Sequence, residues 1–389
     1  MLLLGREDVD PNMPDRDGLT PLSWAAHYGR NRVVEQLLGC GYVKPNVLDN
    51  NGRAPLSWAA ERGHYGVAKL LLGRNDVNPD IPDGNGRTPL RWAVEMKHHR
   101  VLKLLLERED VNPNMADRGG LTPLVLAAMK GSKKVVELLL GCEDVNPNII
   151  DTGGRTPLSW AADYGRDGVV ELLLGCENVR PNIPDNNGRT PLLLAANRGR
   201  DGVVELLLGC EDVDPDIMDN NGQTPLLSAA YHGYDGVVKL LFERGNVNPN
   251  IADKRGRVPL SWAAEEGKKH VVQLLLKWED INPNIHSHNI QTPLTSAARL
   301  GHDGIVKLLL RCTNINLNIT DKVGRTPLSW AATSGNDEVV KLLLREEDVD
   351  PNIPDNYGRT PLGWASCTRN EGAVNLLKQA LQSVSLNAV

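Results

Sequence analysis

Apolar residues along this chain fall into two alternating groups whose order never changes. The first reads Leu158-x-x-Ala161-Ala162, and its spacing of i, i+3, i+4 puts all three side chains on one face of a helix. The second, Val169-Val170-Glu171-Leu172-Leu173-Leu174, predicts another packed helix ending at Gly175. Between the two lie Gly165, a helix-ending residue, and Asp167, an N-cap candidate for the second helix. Ahead of both runs Val145-Asn146-Pro147-Asn148-Ile149-Ile150-Asp151-Thr152-Gly153-Gly154, whose Asn, Asp, Gly and Pro predict an extended arm and a turn. Thr156-Pro157 then reads as an N-cap followed by a proline at the first helical position, where its missing N–H has no helical partner to lose.

The whole unit recurs. Its Thr slot stands at 20, 54, 88, 122, 156, 190, 224, 258, 292, 326 and 360, a spacing of 34 residues through eleven copies with no insertion. A fixed period in this range marks a stacked repeat architecture, in which each unit buries its apolar face against its neighbours. The expected fold is an all-α solenoid of eleven 34-residue helix-turn-helix repeats with short β-turn or hairpin arms. The 25 prolines agree, because every one falls in an arm or at the start of a first helix. A single domain over residues 1–389 is expected: 1–10 as the remnant of a truncated repeat, 11–350 as regular repeats, and 351–389 as the last repeat. Within the last, Ala373 to Leu381 reads as a capping helix. Leu2, Leu3 and Leu4 resemble the tail of a second helix, so the chain is expected to open inside a repeat. Those leucines are expected to be frayed, or paired with another molecule.

The ladder has imperfect rungs. Ala54 and Val258 replace the capping Thr, and Lys97 replaces the first-helix terminal Gly. In the ninth repeat Ser287 replaces the turn Asp and Ile290 the turn Gly, and Leu317 opens the tenth without its Pro. In a quasi-one-dimensional chain these act as local weak couplings.

The pattern Asp-x-x-x-Gly-x-Thr-Pro-Leu-x-x-Ala-Ala, then Gly, then Val-Val-x-Leu-Leu-Leu, resembles the ankyrin repeat over essentially the whole chain. One slot departs. The family usually has His after Thr-Pro-Leu, whereas Ser23, Ser57, Arg91, Val125, Ser159, Leu193, Leu227, Ser261, Thr295, Ser329 and Gly363 stand here, so the family's Thr–His bonding is not carried over. The Ser-Trp-Ala-Ala and Val-Asn-Pro-Asn flavour is similar to ankyrin arrays of filamentous fungi, which often form the C-terminal sensor of NACHT-type signalling NTPases. No Walker A loop stands in the chain itself.

Candidate functional positions follow from the helical step. The slot at Thr+4 lies about 200° from the Leu at Thr+2, on the face shared with Thr+7 and Thr+8. The resemblance makes this the concave side, where ankyrin partners commonly bind. Thr+4 holds Trp24, Trp58, Trp92, Trp160, Trp262, Trp330 and Trp364, with Leu126, Leu194, Ser228 and Ser296 in the rest. Two roles stand open for the tryptophans: scaffold, packed along neighbouring helices, or anchors for a partner. Beside them Tyr28, Arg62, Met96, Tyr164, Arg198, Tyr231 and His232 vary from repeat to repeat, as a modular recognition surface requires and as neutral drift would also allow.

Charge changes this picture little. The net charge is −6, which gives no general signal for nucleic acid or an anionic membrane. No apolar run approaches the roughly 18 residues of a membrane span, and no signal-peptide pattern appears. Seven arginines before the Thr slot, from Arg53 to Arg359, each follow an Asp by four residues, so hairpin ion pairs are expected in preference to a polyanion site. The cluster Lys97-His98-His99-Arg100, Lys103, Lys130, Lys133 and Lys134 reads as a solvated loop face. Five of the six cysteines share one slot, too far apart between repeats for disulfides, and so point to reduced thiols in a cytoplasmic setting.

No nucleophile elbow, phosphate loop or metal-ligand spacing is present, and His286 with His288 lacks a third ligand nearby. The expectation is a noncatalytic protein-binding scaffold using the concave face, with no cofactor, no metal, no nucleic acid and no membrane partner. A structural or self-assembling module is the alternative, a monomer being expected and end-to-end association through the N-terminus remaining open. A sensor fragment of a larger signalling NTPase is the other.

Overall fold

The computed structural model describes residues 10–289 and 291–387, with side chains as far as residue 382. Leu2 to Leu4 and Ile290 therefore lie outside the described residues. Within them are 22 α-helices and no strands, two helices to a repeat. The first pair is Pro21–His27 with Asn31–Leu38, and the last is Pro361–Cys367 with Glu371–Asn387. Contacts divide the chain into two compact units, residues up to Asn186 and residues from Asn187 onward. In each unit first helices pack on first helices of the next repeat, and second helices on second helices.

The type repeat shows why the sequence folds this way. Thr156 Oγ1 accepts from the Ser159 N–H at 3.1 Å, and Pro157 opens the helix that runs to Tyr164. Gly165, at φ +65, turns the chain out of it. Leu158, Ala161, Ala162, Val169, Val170 and Leu173 are buried, the two small alanines letting neighbouring first helices approach closely.

One boundary differs from expectation. Arg166, and not Asp167, is the N-cap of the second helix, Asp167 being its first residue. The cause is the tightness of the loop: the Arg166 N–H is already tied to Ala161 O at 2.9 Å, so the next residue is helical. Asp167 still places its charge at the positive end of the helix dipole.

The residue at that N-cap slot has another task that sequence reading missed. Its side chain reaches back to the last carbonyls of the preceding repeat's first helix. His64 Nε2 meets His27 O at 3.0 Å, His98 Nε2 meets Glu61 O at 3.0 Å, and Asn336 Nδ2 donates to Ala298 O at 3.0 Å. These clasps satisfy carbonyls that a helix end leaves open. They also pass directly over the terminal glycine, where a side chain would collide with them. The exceptions obey the same geometry. Lys97 holds φ +59 without being glycine, and the residue that would cover it is the small Ser132. Arg369, at φ +60, ends the last repeat. Where Ser132 is too short to clasp, Lys130 Nζ reaches Glu95 O at 3.3 Å instead.

The arms carry a second inter-repeat device. Asn114 Oδ1 accepts the Asn146 N–H at 2.9 Å while its Nδ2 donates to Asp144 O at 2.6 Å, so one amide ties two backbone groups of the next arm. Asn46, Asn250, Asn284 and Asn318 do the same. Asp80 and Asp216 occupy this slot without a donor. Asp80 accepts from Asn112 N at 2.7 Å through Oδ2, and its buried Oδ1 has no partner. Burial pushes the Asp80 carboxyl up, opposed by the Asn112 N–H and reinforced by the Asp110 charge; burial does the same at Asp216. A carboxyl raised in the folded state stabilises the fold fully below its unfolded value, and that contribution is lost as pH rises through the raised one. Asp80→Asn and Asp216→Asn are therefore expected to raise stability at neutral pH by about 1 kcal/mol each, through the restored donor. They should also flatten the decline of the melting temperature just above the ordinary carboxyl range. An unchanged pH profile would refute this.

The two missing caps leave a specific gap. Thr20, Thr156 and Thr326 each bond the hydroxyl of the Ser three residues on, at 3.0–3.2 Å. After Ala54 and Val258 the corresponding Ser57 and Ser261 hydroxyls are buried without partners, and neither helix has a side-chain cap. Val258→Thr is nearly isosteric and should supply both bonds, raising stability by about 1–2 kcal/mol in urea unfolding. A loss of stability would show that the added hydroxyl finds no partner there.

Candidate partner-binding face

The first-helix face is built on a clasp made by each turn. Asp151 accepts the Gly153 and Arg155 N–H groups through Oδ1 at 2.8 and 2.9 Å, which closes the turn. Its Oδ2 accepts the indole N–H of Trp160 at 2.8 Å. The Arg155 guanidinium lies 4.5 Å from the Trp160 ring centroid and pairs with Asp163 at 2.9 Å. The same indole bond joins Trp24 to Asp15, Trp58 to Asp49, Trp262 to Asp253, Trp330 to Asp321 and Trp364 to Asp355. The Arg ladder therefore serves mainly as a cover for tryptophan faces. Side-chain pairing between an Asp and the Arg four residues on does occur, at Asp83–Arg87 and Asp253–Arg257, but Arg53 turns to Glu61.

Rungs join across repeats. Arg53 lies 4.4 Å from the Trp58 ring and 4.9 Å from that of Trp92; Arg325 lies 4.5 Å from Trp330 and 3.6 Å from Trp364. His27 meets Trp58 edge-on at 4.6 Å, and Tyr231 meets Trp262 edge-on at 4.7 Å. Cations over aromatic faces are favourable, increasingly so as water is removed. Burial and the Arg62 charge hold the His27 imidazole below its ordinary value.

The structure thus places the sequence candidates in two layers. Trp58, Trp160, Trp262 and Trp330 are partly buried rungs, and Trp92, only 4% exposed, is buried outright between Arg53 and Arg87. The Trp92 indole N–H has no partner, because Arg87 Nε occupies Asp83 Oδ2 at 3.0 Å. Above the rungs, Tyr28, Arg62, Met96, Tyr164, Arg198, Tyr231 and His232 are exposed. Tyr28 lies flat against Trp24 at 5.6 Å, and Tyr164 against Trp160 at 5.7 Å, so scaffold rungs support exposed aromatic plates. Trp24, in the first rung, is itself 38% exposed.

The basic cluster is compensated. His98 clasps Glu61 O, Arg100 lies over the Tyr65 ring at 4.3 Å, and Lys133 and Lys134 pair with Glu171 and Glu137. All six cysteines are free thiols, and burial raises those of Cys176 and Cys312. Among the described residues no cluster of His, Cys, Asp and Glu has metal-binding geometry, and no helix is long and apolar enough to cross a membrane.

One recess interrupts the face in the second unit. A pocket of about 440 Å³ is lined by Asp219, Gln223, Ser228, Tyr231, His232 and Trp262 among others. It opens where the ladder has Ser228 in place of tryptophan. Burial, then the Lys268 and Arg198 charges, lowers the His232 imidazole, whose Nε2 donates to Asn197 Oδ1 at 3.0 Å.

The family model for ankyrin repeats (3 copies) matches the chain in overlapping stretches at residues 1–83, 43–117, 75–151, 109–185, 176–253, 245–321 and 313–388. Comparison with curated proteins returned no match.

Proposed function

Because the chain belongs to the ankyrin-repeat family, a family of protein-interaction modules, we propose that it is a noncatalytic scaffold. It binds a partner protein through the first-helix face, the side the family uses as a concave groove. The observation that carries this reading is the layering of that face. Tyr28 and Tyr164 stand exposed on the Trp24 and Trp160 rungs, each held by an indole hydrogen bond, and Met96 is exposed in the repeat of the arginine-covered Trp92. Exposed aromatic side chains on a rigid support lose little conformational freedom on binding, which is why such residues dominate interface energetics. The rungs give the scaffold and the plates above them the specificity, so both roles open for the tryptophans are divided between two layers.

Crosslinking in native extract, followed by mass spectrometry, identifies the partner. The triple variant Tyr28→Ala, Met96→Ala, Tyr164→Ala leaves every indole clasp intact and should remain folded. It is expected to weaken capture of that partner about a hundredfold, given ~1 kcal/mol per exposed anchor. Undiminished capture by the folded triple variant would move the binding surface off this face.

A further inference from the structure

In the seventh repeat the clasp is present but empty. Asp219 closes its turn as the others do, accepting the Asn221 and Gln223 N–H groups at 2.7 and 2.9 Å. The second carboxylate oxygen of the turn aspartates is engaged elsewhere in three ways. It takes an indole N–H at Asp15, Asp49, Asp151, Asp253, Asp321 and Asp355. It takes a guanidinium of its own repeat at Asp83, and a guanidinium of the preceding repeat at Asp117 and Asp185. Among the described residues no side-chain donor is bonded to Asp219 Oδ2. Ser228 stands where the tryptophan would donate, and Gln223 stands where the arginine would cover it.

Gln223 opens a second gap. Arg53 and Arg325 each lie over the tryptophan of the following repeat, and the equivalent place before Trp262 belongs to Gln223. Among the described residues the arginine over Trp262 is therefore Arg257 of its own repeat, 3.3 Å from its ring centroid. Both unfilled positions, the carboxylate and the aromatic ring, line the same 440 Å³ pocket, with Tyr231 edge-on to Trp262 as its wall. Ser228 and His232 are both tied to Asn197 Oδ1 at 3.0 Å, which fixes the floor. Arg189 also lines the pocket and is itself partnered.

We infer that this pocket receives an arginine side chain from the partner protein, its guanidinium bonding Asp219 and covering Trp262, much as Arg87 and Arg257 each bond the turn aspartate and cover the tryptophan of their own repeat. A planar guanidinium fits because it donates to a carboxylate while stacking on an aromatic ring, and a lysine ammonium cannot do both in one geometry. The inference rests on the reading of this face as a protein-binding surface and names one feature of what binds there.

The test uses the full chain labelled with 5-fluorotryptophan and the capped tripeptide acetyl-Gly-Arg-Gly-amide. The fluorine resonance of Trp262, assigned through Trp262→Phe, is expected to shift saturably at millimolar peptide. The lysine peptide should bind about tenfold more weakly, and citrulline and glutamate peptides should leave the resonance unmoved. Asp219→Asn keeps the turn, because the amide oxygen still accepts both N–H groups, and should abolish the shift. The double variant Gln223→Arg, Ser228→Trp fills the pocket from within and should also abolish it. The inference falls if the arginine peptide produces no saturable shift, if citrulline or glutamate peptides bind as well, or if either variant binds unchanged. These outcomes are separate from the triple variant above, whose substitutions all lie in the other unit. Capture of the partner can survive there while the arginine peptide fails here, and the reverse.

Discussion

Asp151→Ala is expected to lower stability by about 3 kcal/mol in urea unfolding, and Arg155→Ala by about 1–2 kcal/mol. An ion pair between the two would make these losses similar. The asymmetry arises because Asp151, only 9% exposed, accepts three hydrogen bonds: two from its own turn and one from the Trp160 indole. Removing it leaves three donors without their acceptor, each worth about 1 kcal/mol when the acceptor is charged and partly buried. Arg155 contributes a cation 4.5 Å from a ring, an ion pair with Asp163, itself only 8% exposed, and a longer approach to Asp185 at 3.7 Å, none of which closes the turn. Trp160→Phe should cost less than Asp151→Ala, because it loses the indole bond and part of the ring beneath Arg155 and Tyr164 but keeps the turn. Equal losses for Asp151→Ala and Arg155→Ala would return the ladder to simple hairpin ion pairing.

Gly63→Ala should cost about 2–3 kcal/mol, and Gly245→Ala only about 1 kcal/mol, although both glycines have positive φ. The shared part is left-handed backbone, +73 at Gly63 and +79 at Gly245, which a Cβ makes unfavourable by roughly 1–2 kcal/mol. The difference is what lies above each position. A Cβ on Gly63 would stand 2.5 Å from His98 Nδ1, and on Gly245 nothing lies within 4 Å. To make room, His98 must surrender its bond to Glu61 O. His98→Ala with Gly63→Ala should then be nearly as stable as His98→Ala alone, apart from the backbone term. Thermal unfolding of the four variants gives the coupling directly, and equal losses for the two glycines would deny the clasp any role.

The turn, the capping Thr-Pro, the core face and the two helices of every repeat were legible in the sequence. All of these are local, set by φ preferences, capping chemistry and a 3.6-residue period within a span of 34 residues. The Thr+4, Thr+7 and Thr+8 slots were also correctly assigned to one helical face by angle alone. Interactions that cross from one repeat to the next were not legible. The Asn slot of each arm appeared only as turn composition, although its recurrence as Asn or Asp in every repeat was a signal. The residue after each terminal glycine appeared to be loop, yet it closes the helix of the repeat before. Its signal was a covariation: the one internal terminal glycine replaced by another residue, Lys97, stands before the one small clasp residue, Ser132.

The sequence by itself determined the fold, because a period repeated eleven times leaves no other way to bury a stripe of Leu, Ala and Val. It also placed the Thr+4, Thr+7 and Thr+8 slots on one helical face. Only the tertiary structure decided how the tryptophans are used. Helical angle says which way Trp160 points but not that Asp151, nine residues earlier, takes its N–H, nor that arginine planes cover the rings. Those contacts depend on how closely one repeat stacks on the next, a distance that no single repeat contains. The same stacking turns Ser228 and Gln223, two unremarkable polar residues in the sequence, into the lining of a pocket beside Asp219.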